Sequence, residues 1–340
     1  MLDPNLAAKM AITLAGGAGE TGIPPVDLIT VCDTARDRIV GATGMTPAQA
    51  LPPPEWIDRE AWAKANAVSL SRLLQPLGDR AGGDGGPLSG PLRAAAAGIA
   101  TAEAGALLGL VANRVLGQYD LTLTDPDVPA RLLFVAPNIA AAAERLDADH
   151  GEMLTWIALH EVTHAVQFSS VTWLRPHLSG LLHELLDSLD IDVDWGALLR
   201  IPSMEDLKGA VDAVREGGFA TLLGSARGEV LDQVQATMAL VEGHAEWAMD
   251  VVASDLVPNV ADLRAALDRR RAERSGLLRF VDRLLGLDLK MRQYEEGRAF
   301  CDTVVELGGV ELLSRAWSEP EAIPTAAELA DASAWRARVA

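Results

Sequence analysis

The sequence predicts a mainly α fold, with β structure as a minor component in one small hairpin. Hydrophobic residues make up 49% of the chain and are mostly alanine and leucine, while aromatic residues make up only 4%. Runs of β-branched residues, which favour strands, are scarce. At 340 residues the chain can bury a sizeable core. These observations indicate a helical protein of one or two domains.

The acidic composition limits the classes of partner. The chain carries 48 acidic and 29 basic residues, a net charge of −19. Such a surface repels phosphate backbones and anionic lipid heads, so we expect neither nucleic acid nor a membrane as a partner. Two cysteines are too few for a disulfide framework, and the N-terminal residues lack the basic and long apolar segments of a signal peptide. We therefore expect a cytoplasmic protein that binds no nucleic acid.

The first 116 residues form a predicted N-terminal helical region. A run of three prolines should break the chain before a helix that contains Trp56 and Trp62. Residues 78–91 are rich in glycine, aspartate and proline, which is typical of a surface loop. The Ala-rich segment 92–116 then predicts a long buried helix.

The pattern changes at residue 117. Residues 118–123 alternate polar and apolar side chains, and 131–135 form a short apolar run. With an Asp-Pro turn between them, these segments predict a β-hairpin. Two interpretations of it stay open. It is either an edge strand that holds an extended peptide by backbone pairing or a structural ribbon packed on helices.

The segment after the hairpin carries the strongest motif, His160-Glu161-Val162-Thr163-His164. Two histidines four residues apart share one helix face and can bind one metal ion. The glutamate beside the first can take a proton from water that the metal polarises. With six histidines in the chain, this H-E-x-x-H pattern arises by chance in roughly one such chain in a hundred. A zinc site is therefore favoured over a pair of core histidines.

A third ligand is needed, because a catalytic zinc usually has three protein ligands and one open position. Ser170 stands where a compact motif would have a third histidine. Glu242 and Glu246, in a later predicted helix, are four residues apart on one face. One can bind the metal while the other accepts the N–H of a ligand histidine. Two alternatives stay open, namely His244 as the ligand and a solvated acidic face.

The order of these pieces resembles a family of zincin-like zinc metalloproteases that is described as hydrolases associated with deazaflavin-coenzyme biosynthesis. The matching segments span nearly the whole chain: 62–66 (WAKAN), 74–77 (LQPL), 116–120 (LGQYD), 134–138 (FVAPN), 160–168, 242–250 and 289–301. The spacing of Glu242 and Glu246 is similar to that of the glutamate helix of gluzincins.

This resemblance implies a zincin-like core with the hairpin next to the H-E-x-x-H helix. It implies Zn²⁺ bound by His160, His164 and Glu242, with Glu161 as general base. The association with a coenzyme pathway implies no substrate. Residues 117–340 would form the catalytic region, unless the whole chain is one continuous domain.

A gluzincin also needs a donor for the oxyanion of the tetrahedral intermediate. Tyr294 is our candidate, because it is one of two tyrosines and lies in the basic segment 290–298. A buried structural phenol is the alternative for this residue. Arg292 or Arg298 could stabilise the oxyanion instead, or bind a substrate carboxylate.

The sequence thus predicts a zinc-dependent metallohydrolase, and hydrolysis of peptide bonds is the leading hypothesis. One alternative is a zinc amidohydrolase or deacylase acting on a small amide in cofactor metabolism. Another is a non-catalytic scaffold with a structural zinc. Glu161 argues against the scaffold, since a structural site needs no base.

Overall fold

The computed structural model describes residues 2–82, 90–123, 125, 127–188, 225–272 and 287–339. This part of the chain is mainly helical, as the sequence predicts. The helices are α1 Pro4–Leu14, α2 Leu28–Thr43, α3 Arg59–Gly82, α4 Gly90–Ala112, α5 Ala136–Leu146, α6 His150–Ser170, α7 Leu174–Ser188, α8 Ser225–Leu256, α9 Val260–Ala272, α10 Leu287–Ser314, α11 Ala326–Ala330 and α12 Ala332–Val339. Within these ranges, no helix has the length and apolar character needed to cross a membrane.

A three-stranded sheet accompanies the helices, formed by β1 Pro54–Ile57, β2 Gly117–Asp120 and β3 Arg131–Val135. The strand order is β1-β3-β2, with β3 parallel to β1 and antiparallel to β2. Four of the five residues of the central strand β3 are buried. The predicted hairpin is therefore confirmed, although its first strand ends at Asp120.

Strand β1 corrects one sequence prediction, because Trp56 lies in this strand and not in a helix with Trp62. Three prolines favour an extended backbone before it, and Trp56 pairs with Phe134 of β3. The indole Nε1 of Trp56 also donates a hydrogen bond to the carbonyl of Thr21 at 2.8 Å. These long-range contacts outweigh the local preference of the segment.

The ends of α3 and α4 correct two boundaries. Helix α3 continues to Gly82 and α4 begins at Gly90, so both enter the predicted loop 78–91, of which residues 83–89 lie outside the described part. Helix α4 ends at Ala112 and buries one face, while Leu110 on another face is exposed.

The chain forms two compact units, Met1–Ser170 with Met249–Leu267, and Val171–Ala248 with Asp268–Ala340. Helix α8 therefore contributes residues to both. The division at residue 117 that the sequence suggests stays a prediction.

Small residues set the packing of the first unit. A Cβ at Gly105 of α4 would lie 3.0 Å from the carbonyl oxygen of Ala7, and one at Gly109 would lie 3.0 Å from that of Ala11. Helices α1 and α4 therefore pack almost backbone to backbone. In the second unit, Trp335 is fully buried and its ring lies edge-on to Phe300 at 5.2 Å.

Candidate metal centre

Helix α6 carries the H-E-x-x-H motif. Asp149 caps its start, because Oδ1 accepts hydrogen bonds from the backbone N–H groups of Gly151 at 2.8 Å and Glu152 at 3.0 Å. From Met153 onward most of the helix is buried on all sides. A helix covered in this way is part of a core, so its polar side chains need specific partners.

The two histidines of the motif face each other. The Nε2 atoms of His160 and His164 lie 3.3 Å apart, and the rings meet edge-on at 87°. Two nitrogen ligands at about 2.0–2.1 Å from a tetrahedral zinc ion are roughly 3.3 Å apart. The pair therefore has the separation that two nitrogens on one zinc ion would have.

Gln167 holds the other side of the His164 ring. Its Oε1 lies 2.9 Å from Nδ1 of His164, and both side chains are buried. Gln167 is not among the predicted site residues, although its position three residues after His164 puts it on the same helix face.

Strand β2 lies against the glutamate of the motif. The buried Glu161 accepts a hydrogen bond from the backbone N–H of Tyr119 through Oε2, at 2.8 Å. A Cβ at Gly117 would lie 2.6 Å from Cγ of Glu161 and 2.8 Å from Cγ2 of Ile157. Only glycine lets the strand approach this closely. The hairpin therefore packs beside the motif helix, where it was expected.

Glu242 lies on α8, at a close crossing with α10. A Cβ at Gly243 would overlap the backbone of Gly297, and a Cβ at Gly297 would overlap the backbone of Ala239. Both positions therefore require glycine.

Three predicted ligands form one group. His160, His164 and Glu242 each present a ligand atom, and these atoms all lie within 4.8 Å of one another. Within the described ranges, these three are the His, Cys, Asp or Glu residues grouped closely enough to hold a metal ion. Two imidazoles and one carboxylate suit zinc and leave a fourth position open.

The chain that carries this donor set also matches a known protein family. Residues 3–335 match the model of a family described as zincin-like metallopeptidases. The chain belongs to this zincin-like family. The family implies a divalent metal, typically zinc, which the His160, His164 and Glu242 donor set fits.

One solved structure is similar to this zincin-like chain over nearly its whole length. It is a candidate hydrolase with a novel fold from Chloroflexus aurantiacus, 27% identical, covering 99% of this chain and 98% of that chain with a TM-score of 0.70. No curated protein matches significantly. Family and neighbour together support a zinc metallohydrolase. The link to deazaflavin-coenzyme biosynthesis stays a prediction.

Three other candidates have different outcomes in this zincin-like protein. His244 is outside the metal group and buried, with its ring 5.5 Å from Trp247 and 5.1 Å from Trp317. Glu246 is half-buried on α8 and also outside the group. Tyr294 lies in α10, but its side chain is outside the described part of the structure.

Of the two arginines proposed as alternatives to Tyr294, one has a described side chain and the other does not. Arg298 forms an ion pair with Asp302, one turn along α10, at 3.4 Å. The side chain of Arg292, like that of Tyr294, is outside the described part. The identity of the oxyanion donor stays a prediction.

A polar cluster holds β2 from the side opposite α6. Oε1 of Gln118 accepts hydrogen bonds from Nε1 of Trp62 at 2.6 Å and from Nδ2 of Asn66 at 3.2 Å. Its Nε2 donates to Oδ1 of Asp120 at 3.0 Å. Burial raises the pKa of the Asp120 carboxyl, although Arg131 opposes that shift. The strand that contacts Glu161 is thus fixed on both sides.

Proposed function

We propose that this zincin-like protein is a zinc metallopeptidase that hydrolyses peptide bonds with Glu161 as general base. The observation that carries the proposal is the group formed by His160, His164 and Glu242. The two histidines of this group lie on either side of Glu161 in the sequence. Three protein ligands are typical of catalytic zinc, whereas structural zinc usually has four. A bound zinc ion would supply Lewis acidity, which polarises a carbonyl and acidifies water.

The backbone of β2 holds one oxygen of Glu161, the proposed general base. Oε2 accepts the N–H of Tyr119, which limits rotation of the carboxylate. In the proposed mechanism the other oxygen, Oε1, takes a proton from the attacking water and passes it to the leaving nitrogen. In this proposal the amide bond breaks as the amine receives that proton.

Strand β2 supports a peptide as the substrate. It is an edge strand of the described sheet, because it pairs with β3 on one side and with no strand of this sheet on the other. The N–H of Tyr119 donates to Glu161, so the edge of β2 that does not pair with β3 faces the motif helix. Backbone pairing with an edge strand is a common way to hold an extended peptide.

The small-amide alternative has one observation in its favour. The N–H of Tyr119 is already engaged by Glu161, so one donor of the strand edge is unavailable to a peptide. A compact amide would not need that donor. Comparing acylated amines with peptides of increasing length as substrates separates the two, since a peptidase gains activity as the peptide lengthens along β2.

The remaining site residues complete the proposal. Glu246 would accept the N–H of a ligand histidine, as carboxylates near zinc commonly do. Tyr294 would donate a hydrogen bond to the oxyanion. Both roles come from the family resemblance and the spacing of the residues.

The test combines metal content with a matched pair of variants. Glu161→Gln should retain about one zinc per chain and lose about 10²–10⁴-fold in hydrolysis of a peptide library, because only the base is removed. Glu152→Gln makes the same change near the start of α6, where Oε1 accepts a hydrogen bond from Asn259 that the amide oxygen can keep, and should act as wild type. Wild-type protein without zinc, or an unchanged Glu161→Gln rate, would contradict the proposal.

A further inference from the structure

Gln167 is a buried polar side chain that the proposed chemistry does not use. It lies in the last turn of α6 and is fully buried. Burying a carboxamide is unfavourable unless hydrogen bonds replace those to water. The short contact of its Oε1 with Nδ1 of His164, at 2.9 Å, is such a replacement.

This contact bears on which nitrogen of His164 carries the proton. A neutral imidazole has one N–H donor and one acceptor nitrogen. If Nδ1–H donates to the carboxamide oxygen of Gln167, Nε2 keeps its lone pair. That Nε2 faces Nε2 of His160 at 3.3 Å, which is where a shared metal ion needs it.

We propose that Gln167 is a positioning residue of the metal site, a role that rests on the proposed zinc binding. Gln167 holds His164 in the tautomer with hydrogen on Nδ1 and fixes the ring so that Nε2 points at the metal position. His164 is thereby prepared for binding before the metal arrives, which lowers the cost of assembling the site.

The choice of an amide is also chemically specific. A carboxylate at this position would accept the same hydrogen bond but would add a negative charge to a region that already holds Glu161 and Glu242. It would also make the imidazole a stronger electron donor. The neutral amide orients His164 while leaving more of the Lewis acidity of the metal for the substrate.

The experiment measures zinc affinity by competition with a chromophoric chelator, so it needs no substrate. Gln167→Met keeps the side-chain length but removes the strong acceptor, and zinc affinity should fall about 10–100-fold. Gln167→Glu restores an acceptor and should bind zinc at least as tightly as wild type. Thr163→Val is the control, because Thr163 is equally buried on α6 and bonds only the carbonyl of Leu159 among the described contacts, so affinity should not change.

The outcomes separate this role from a structural one. An unchanged affinity in Gln167→Met, or a loss in Gln167→Glu as large as that in Gln167→Met, overturns the proposal. If Gln167→Met does not unfold cooperatively, Gln167→Glu against wild type decides, and a loss of about tenfold or more overturns it. A wild type that binds zinc but cleaves no peptide refutes the proposed peptidase function and leaves the role of Gln167 standing.

Discussion

Glu161, our proposed general base, shows how a backbone group can restrict a side chain. The N–H of Tyr119 binds one carboxylate oxygen at 2.8 Å, and a carboxylate held in this way loses rotational freedom before substrate arrives. The contact depends on residue 117, because the strand reaches α6 only where no side chain intervenes.

Replacement of Gly117 by alanine tests this dependence. The new Cβ would collide with Glu161 and Ile157, so we expect a loss of about 1–3 kcal/mol in the free energy of unfolding. The activity should fall further, by up to about 100-fold, because Glu161 is displaced. Gly41→Ala on α2 is the control, since open space surrounds that position and alanine should be neutral or stabilising. Urea denaturation and peptide hydrolysis measure both effects. A wild-type rate in a destabilised Gly117→Ala protein would disprove the positioning of Glu161 by β2.

The residues of the site differ in how well the sequence could predict them. His160 and His164 were predictable because their spacing within one helix is local and determines a shared face. Gln167 follows from the same spacing and was overlooked. The donor to Glu161 could not be predicted, because a backbone N–H exists at nearly every residue and leaves no pattern in the sequence.

At the level of elements, helices were easier to predict than the sheet. The hairpin β2–β3 joins neighbouring segments with a turn between them, so its pattern is visible locally. Strand β1 pairs with β3 across a long stretch of chain, and its four residues follow a proline run that also suits a loop. Nothing near Trp56 in the sequence indicates that partner.

The crossing of α8 and α10 carries the next prediction. Gly243→Ala would place a Cβ against the backbone of Gly297, which cannot rotate away as a side chain can. We expect the free energy of unfolding to fall by about 3 kcal/mol or more, with weaker zinc binding because Glu242 is adjacent. Gly228→Ala on the same helix meets open space and should be neutral or stabilise by up to about 1 kcal/mol. Equal urea midpoints for the two variants would show that this contact is not tight.

At the scale of the whole molecule, composition predicted the helical class and the acidic surface, but neither indicates chemistry. The zinc-hydrolase conclusion comes from a few residues brought together from distant parts of the chain, and from the family match over residues 3–335. Such a site links folding to metal binding, because His160 and Glu242 meet only in the native chain.

Metal removal should therefore lower the stability of the entire chain. Zinc at about 100 times its dissociation constant adds about 2.7 kcal/mol to the free energy of unfolding, so a chelator should lower Tm by several degrees. The difference should shrink as the solution becomes acidic, because the imidazoles have to lose their protons to bind metal. Differential scanning calorimetry with and without chelator measures the shift, and His160→Ala should give the same Tm in both conditions. If the chelator leaves the Tm of zinc-loaded wild type unchanged, the metal binds without preference for the native fold. The zinc would then not be bound by His160, His164 and Glu242.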